Sequence, residues 1–259
     1  MHRQSYLSPV WKNSYTMKAL NKIGITERGD AALNTEWLPW VRAGKPAILI
    51  TKDPQLLYHH LEEFGAWNPN VIVHCTITGF GGTILEPNVP PYQASLNAYE
   101  KMVTRYGADR VVLRIDPVIP TPKGIDVAMK VLVRAYTIVR ISFIDNYDHV
   151  KQRMLTAGVP LPWNSLHAPI EIRINAWQEL QKLEQARSDR TGIEICGEPD
   201  FECTGCVSDK DCKVLDVTTK TQPTGKQRPA CACLALKHEL LSNRTRCPHK
   251  CLYCYWSSD

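Results

Sequence analysis

Ala47-Ile-Leu-Ile-Thr51, the Asp53-Pro54 step, a helical-period stretch to Phe64 and then Val71-Ile-Val-His-Cys-Thr76 decide the fold. Two short β-branched runs flank a segment that opens on Asp-Pro and carries apolar residues at helical spacing. Short apolar strands alternating with longer helices are the pattern of βα units and a parallel sheet.

Working outward, the same unit recurs. Strands are predicted at Ala19–Thr26, Arg110–Ile115, Ile138–Phe143 and Gly192–Cys196. Helices are predicted at Pro91–Tyr106, stopped by Gly107 as a C-cap, at Ile125–Tyr136, near Asn146–Ala157 and at Pro169–Arg187. Residues 1–17 show no period and read as an irregular lead-in. The fold class is therefore α/β, with residues 1–200 forming an open or partial (βα)6 TIM-type barrel. Chemistry in such barrels gathers at the C-terminal ends of the strands. Polar groups stand at all six of those ends: Thr26-Glu27-Arg28-Gly29-Asp30, Thr51-Lys52-Asp53, Thr76-Ile-Thr78-Gly79, Arg114-Ile-Asp116-Pro117, Ser142-Phe-Ile-Asp145 and Cys196-Gly197-Glu198. Some of these, Asp30 and Asp53 above all, are also natural helix caps. Gly79-Phe-Gly81-Gly82 is glycine-rich but lacks the Lys-Ser/Thr of a P-loop, and reads as a mobile loop that approaches a cofactor with its backbone.

The chain has 259 residues, 44% of them hydrophobic, which is ample for a core. No apolar run approaches the roughly 20 residues of a membrane span, and the first residues carry no secretory h-region. A cytoplasmic location follows as the expectation, and in a reducing compartment cysteines are metal ligands more often than disulfides. Of ten cysteines, only Cys75 precedes Cys196. Cys75 sits in a β-branched run and reads as a packed apolar residue. His59, His60, His74 and His167 show no ligand spacing.

After Asp200 the texture changes. Residues 201–259 read as a cysteine-rich, metal-stapled tail folding back over the barrel mouth, with helical potential confined to Leu234–Leu241. Net charge is only +5. Yet between Lys220 and Lys250 seven basic residues, Lys220, Lys226, Arg228, Lys237, Arg244, Arg246 and Lys250, face one acid, Glu239. A solvated basic segment offsetting thiolate charge is the favoured reading, and attraction of a polyanion such as nucleic acid is the alternative.

The tail ends in Cys247-Pro-His-Lys-Cys251-Leu-Tyr-Cys254-Tyr-Trp256, three cysteines at C-x3-C-x2-C. A four-iron cube takes four thiolates, so three leave one iron open. The alternative is zinc, with His249 or another cysteine as fourth ligand. The spacing, with Tyr253 before the third cysteine, resembles the radical S-adenosylmethionine superfamily. That resemblance implies a 4Fe–4S cluster on Cys247, Cys251 and Cys254, S-adenosylmethionine on the open iron, and its reductive cleavage to a 5′-deoxyadenosyl radical that abstracts hydrogen from a substrate. It also implies a reductase such as flavodoxin or ferredoxin as electron donor.

A narrower resemblance covers about Ile23 to Trp256. Thr51-Lys-Asp-Pro54, Thr76-x-Thr78-Gly79, Leu85-Glu-Pro-Asn-Val-Pro90, Arg114-x-Asp116-Pro117, Ser142-Phe-Ile-Asp145-x-Tyr147 and Gln227-Arg228-x-x-Cys231-x-Cys233 are similar to an uncharacterised radical-protein family. That family carries its cluster motif at the C-terminus and is loosely related to spore photoproduct lyases. Between Leu234 and Arg246 it has an Asp-Ile-Gly element where this chain has His238-Glu-Leu-Leu241. The resemblance picks out Cys196, Cys206, Cys231 and Cys233 as ligands of an auxiliary 4Fe–4S cluster. Cys203 and Cys212 are extra, and the Cys203-x2-Cys206 pair suits zinc equally well.

Cofactor contacts are expected from the strand ends. Arg114, and next Arg28, would fork the S-adenosylmethionine carboxylate. Asp116, Ser142 or Glu198 would meet the ribose, and Tyr253 and Tyr255 would flank the adenine. Thr76, Thr78 and Glu86 are further candidates for cofactor or substrate. Arg114 and Asp116 share one strand face and are alternatively a mutual ion pair. The favoured substrate class is a nucleobase or nucleotide in DNA or RNA, with a small metabolite or peptide next. A zinc-stapled nucleic-acid-binding module without radical chemistry is the runner-up, and a degenerate barrel sensing iron or redox state is a third reading.

Overall fold

The computed structural model describes residues 22–189, 191–217, 230–234, 237–242 and 247–256. Seven strands form one sheet: β1 (Ile23–Ile25), β2 (Ala47–Thr51), β3 (Val71–Thr76), β4 (Val111–Val118), β5 (Val139–Phe143), β6 (Ile193–Ile195) and β7 (Lys237–Glu239). The order is β6-β5-β4-β3-β2-β1-β7, and every pairing is parallel. The helices are α1 (Leu38–Arg42), α2 (Pro54–Glu63), α3 (Tyr92–Tyr106), α4 (Pro122–Leu132), α5 (Asp148–Thr156), α6 (Ile170–Ala186) and α7 (Asp209–Val214). The lead-in, residues 19–21 of the first expected strand, Gln227, and the basic residues Lys220, Lys226, Arg228, Arg244 and Arg246 lie outside the described residues.

Local chemistry sets most helix starts. Asp53 caps α2 by accepting from the Leu56 amide at 3.0 Å, and Pro54 fills the first turn. Thr121 caps α4 in the same way. In α7, Ser208 and Asp211 close a reciprocal capping box.

Consecutive strands lie side by side, and right-handed crossovers between neighbours then place the helices on one face. The core shows this division. Leu49, Val73, Leu113 and Ile141 of the strands pack with Leu57 of α2, Met102 of α3, Val131 of α4 and Leu180 of α6. The alternate positions Ile23, Ile25, Ile48, Ile50, Ile72 and Val112 face the other way, onto Val207, Leu215, Leu234 and Cys212 of α7. The tail thus covers the second face of the sheet, which is why β2 and β3 are buried along their full length.

The helix predicted over Leu234–Leu241 is not formed; Lys237–Glu239 is strand β7, paired with Ile23–Ile25. The open edge of β1 offers a row of unpaired backbone groups, and a helix this short has too few hydrogen bonds to compete. Glu239 adds side-chain bonds, accepting from the amides of Glu27 and Arg28 at 3.1 Å each.

Arg140 fastens the tail to the covered face. Its side chain is 1% exposed and meets Glu194 at 2.9 Å and Asp211 at 3.0 Å. It also donates to Ser208 Oγ and to the Cys206 carbonyl, both at 3.3 Å. His74 lies beside it at 3.3 Å, and burial together with the Arg140 charge holds this imidazole well below its ordinary pKa, hence neutral. Removing one partner of a buried charge pair costs about 3 kcal/mol or more. Asp211→Ala should therefore lower the melting temperature of the full chain markedly, while Asp126→Ala, at an exposed position of α4, should leave it unchanged. Equal melting of the two variants would remove Arg140 as the fastener.

Candidate functional site

The C-terminal strand ends open into a cavity of about 310 Å³. All six expected ends contribute, through Glu27 and Arg28, Thr51 and Lys52, Thr76, Arg114 and Asp116, Ser142, and Cys196. Two cysteine sets share this wall. One is Cys247, Cys251 and Cys254; the other is Cys196, Cys206, Cys231 and Cys233. Residues 247–256 therefore meet a mouth formed by six strands that all precede them in sequence, from β1 at Ile23–Ile25 to β6 at Ile193–Ile195.

The C-terminal hook is held by separate polar contacts. His249 Nε2 meets Asp30 Oδ2 at 2.8 Å, with both side chains under 5% exposed. His249 Nδ1 faces the Asn88 carbonyl at 3.2 Å. A carboxylate and a carbonyl only accept, so both ring nitrogens donate and the imidazole is charged. Burial opposes that charge, but the hydrogen bond and charge of Asp30 outweigh it and raise the His249 pKa. Asp30, despite burial, is lowered by His249, Lys52 and Thr51. It accepts from the amides of Ala32 and Lys52 and from Thr51 Oγ1, at 2.7–2.8 Å. With both nitrogens committed, His249 has no lone pair for a metal, so zinc ligation through it does not fit this geometry.

The second anchor is Tyr253. Its hydroxyl bonds Glu86, and Lys52 Nζ meets Tyr253 Oη at 2.9 Å and Glu86 at 2.8 Å. Thr78 Oγ1 donates to the other Glu86 oxygen at 2.7 Å. Leu252 N donates to the Leu85 carbonyl at 3.0 Å, Asn88 Nδ2 to the Pro248 carbonyl at 2.7 Å, and Arg153 to the Cys254 carbonyl. Beneath these, Cys251 and Tyr253 are buried among Leu85, Ile119, Ile144, Val150 and Trp163.

Burial pushes the Cys251 thiol up to about 12 and Cys247 up to about 11, with the neighbouring Lys52 acting the other way on both. At neutral pH these thiols stay protonated unless a cation takes the proton's place. In the other set, Cys196 and Cys206 sulfurs stand 3.6 Å apart, and the Cys206 amide donates to Cys233 Sγ at 3.1 Å. Cys233 also bonds Cys231. Hydrogen bonds from Cys196 and Cys233, helped by Arg114 against burial, hold Cys206 well below the usual thiol pKa. Among the described residues, no three of His, Cys, Asp and Glu stand as a ready-made ion cage; the sulfurs of this second set are joined to one another.

The remaining candidates separate by position. Thr76, Arg114, Asp116, Ser142, Tyr253 and Tyr255 reach the cavity wall; Thr78, Glu86 and Glu198 do not. Glu86 and Thr78 anchor the hook, and Glu198 accepts from the Phe143 amide at 2.8 Å and pairs with Arg173 at 3.5 Å. Arg114 is ion-paired with Asp116, which also accepts from Ser142 Oγ. The mutual pair, rather than a free carboxylate fork, is what the strand face produces. Arg28 makes no ion pair among the described residues and lies over the Trp256 ring at 5.5 Å. The glycine loop lies off the cavity. A Cβ at Gly79 would strike Val127 and one at Gly81 would strike the Pro90 carbonyl, so these glycines serve close packing. Cys203 bonds its own loop at Glu198, Cys212 lies on the covered face of the sheet, and Cys75 is buried against Met102.

Three functional groups escaped the sequence reading: Lys52 as an anchor, Asp30 as the partner of His249, and Glu27. Burial and the Cys206 charge push Glu27 up to about 7, against its ion pair with Lys237 at 2.8 Å. Nothing local marks a partner 219 residues away. Helix α7 was missed as well, because helical potential in the tail was confined to Leu234–Leu241; the Ser208-x-x-Asp211 capping-box spacing is the signal that could have found it.

Residues 43–256 match the family model described as Domain of unknown function (DUF1848), and the chain belongs to that family. No curated protein and no solved structure matches it. No described helix is long and apolar enough to cross a membrane.

Asp30→Ala leaves a buried imidazolium without its counter-charge, a loss of about 3 kcal/mol or more. In metal-free protein, Cys251 should then react with iodoacetamide roughly 100-fold faster, since the hook opens locally. Asp53→Ala should weaken the α2 cap without changing that rate. An unchanged rate in Asp30→Ala would show that the pair does not hold the hook.

Proposed function

We propose that this protein is a radical S-adenosylmethionine enzyme whose 4Fe–4S cluster is carried by Cys247, Cys251 and Cys254. The observation that supports this most is the delivery of the three hook thiols to the cavity at the parallel strand ends, with the neighbouring His249 withdrawn from ligation. Three soft thiolates and no nitrogen donor suit iron–sulfur ligation and leave a closed zinc site one ligand short. When bound, such a cluster supplies an open iron for S-adenosylmethionine and the electron for its reductive cleavage to a 5′-deoxyadenosyl radical.

The architecture supports the same reading. Strands in sequence order, helices packed on one face and a cavity at the C-terminal ends are what a partial (βα)6 TIM-type barrel provides. A doubly wound sheet would reverse its strand order and open its crevice at the reversal, and β1 to β6 run without one.

The chain's own residues then take definite tasks. Asp30, Glu86 and Lys52 hold the hook so that its sulfurs face inward. Lys52 places a positive charge beside Cys251 and favours its thiolate. Arg28, which makes no ion pair among the described residues and lies over the Trp256 ring at 5.5 Å, is a cation available to an anionic group of cofactor or substrate. Arg114 and Asp116 present a paired donor and acceptor from the wall, and Ser142 adds a hydroxyl. Tyr255 and Trp256, ring centroids 5.1 Å apart at the rim, offer π faces to a planar ring, which keeps a nucleobase or nucleotide as the favoured substrate class.

Anaerobic incubation of the full chain with dithionite and S-adenosylmethionine tests the proposal. Wild type should release 5′-deoxyadenosine, and Cys251→Ala should release none while keeping its circular dichroism spectrum. Equal release by both proteins would overturn the ligand assignment.

A further inference from the structure

We propose that Cys196, Cys206, Cys231 and Cys233 bind one tetrahedral zinc ion and not an iron–sulfur cube. The inference stands independently of the hook, because it rests on how these four cysteines pack together.

Zinc–sulfur bonds are about 2.3 Å, which sets the edge of an S4 tetrahedron at about 3.8 Å. Cys196 and Cys206 sulfurs are already 3.6 Å apart. The four cysteines form a single buried cluster with no other hydrophobic member. A cube carries its thiolates on four separate iron corners, so its ligand sulfurs stand well beyond direct contact with one another. Here they touch.

The backbone explains why they touch and why they cannot spread. A Cβ on Gly205 would lie 2.6 Å from Cys233 Cα and 2.7 Å from Cys233 N. The two ligand-bearing segments are therefore pressed backbone to backbone at Gly205, the one residue type that allows it. The Cys206 amide donates to Cys233 Sγ across this contact at 3.1 Å, the kind of N–H···S bond that steadies a thiolate. Arg140 donates to the Cys206 carbonyl at 3.3 Å and fixes the loop from behind. An inserted cube would have to part these segments; a single ion needs the S–H protons to leave and the four side chains to turn toward it within the cluster that they already form. Loading takes up Zn²⁺ and releases one proton for each thiol that was still protonated, giving a site of charge −2. Arg114 and Lys237 flank it on the cavity side and the β7 side.

Such a site has all four positions closed by protein, so it binds no substrate and carries no electron. Its work is to hold residues 196–206 and 231–233 together, which in turn seats β7 against β1.

The test is metal analysis of anaerobically purified full-length protein, with zinc K-edge absorption on the wild type. About one zinc per chain, in a shell of four sulfurs near about 2.3 Å, is the expected result. Cys206→Ser should lose the zinc and keep the iron of the hook, and Cys251→Ala should do the reverse. Loss of iron in Cys206→Ser with no zinc in the wild type would overturn the proposal, as would wild-type protein with neither zinc nor metal-dependent absorption at this site. Should the Cys206→Ser chain fail to fold, the sulfur shell seen in the wild type still decides. Absence of iron alone would sink the hook assignment and leave the zinc site standing.

Discussion

A buried ion pair between Asp30 and His249 joins the loop after the first strand to the last turn of the chain, 219 residues apart. Everything proposed for the hook depends on it. The pair sets the protonation of His249, which removes the imidazole from the ligand set, and it fixes the hook at the mouth of the parallel sheet. Lys52 is drawn in from the next strand end, its amide on Asp30 and its ammonium on Glu86 and Tyr253. One loop, one strand end and one tyrosine thus share a continuous polar network with the cysteines between them. Buried charges are tolerated only when paired and hydrogen-bonded, and each member here has its partners.

The second constraint is the open sheet. A parallel sheet must be covered on both faces, and with α1 to α4 and α6 on one side the other face needs its own cover. The tail provides it: α7, Val207 and Leu234 pack on that face, and β7 pairs with the free edge of β1. So little of this tail is apolar that it needs fastening, which Arg140 supplies from the sheet and the four grouped cysteines supply from within. The same segment that covers the sheet also lines the cavity, so the cover and the site are built from one piece of chain.

Much of this was legible in the residues. Runs such as Ala47–Ile50 and Val71–Val73, rich in β-branched residues and alternating with helical stretches, mark the strands of a parallel sheet, and the polar ends predicted for six strands all reach the cavity. The grouping of Cys196, Cys206, Cys231 and Cys233 followed a resemblance, and the structure brings those four together while leaving Cys203 and Cys212 apart. What was not legible is how polar residues choose partners. Glu86 and Thr78 looked like cofactor contacts because they lie near strand ends, but a lysine and a tyrosine from elsewhere claim them first. Arg114 turned to Asp116 because strand neighbours at i and i+2 share a face. Strand β7 was hidden because Lys-His-Glu has no apolar alternation; its pairing depends on the edge of β1 and on His238 stacking over Trp40 at 4.9 Å.

The central claim is a three-thiolate cluster with one position open to S-adenosylmethionine. Electron paramagnetic resonance of the dithionite-reduced full chain addresses it without any need for substrate. The account predicts a reduced-cluster signal that changes shape when S-adenosylmethionine is added, because the cofactor would bind at the open position. A signal that is identical with and without S-adenosylmethionine, or the absence of any cluster signal in iron-reconstituted protein, would contradict it.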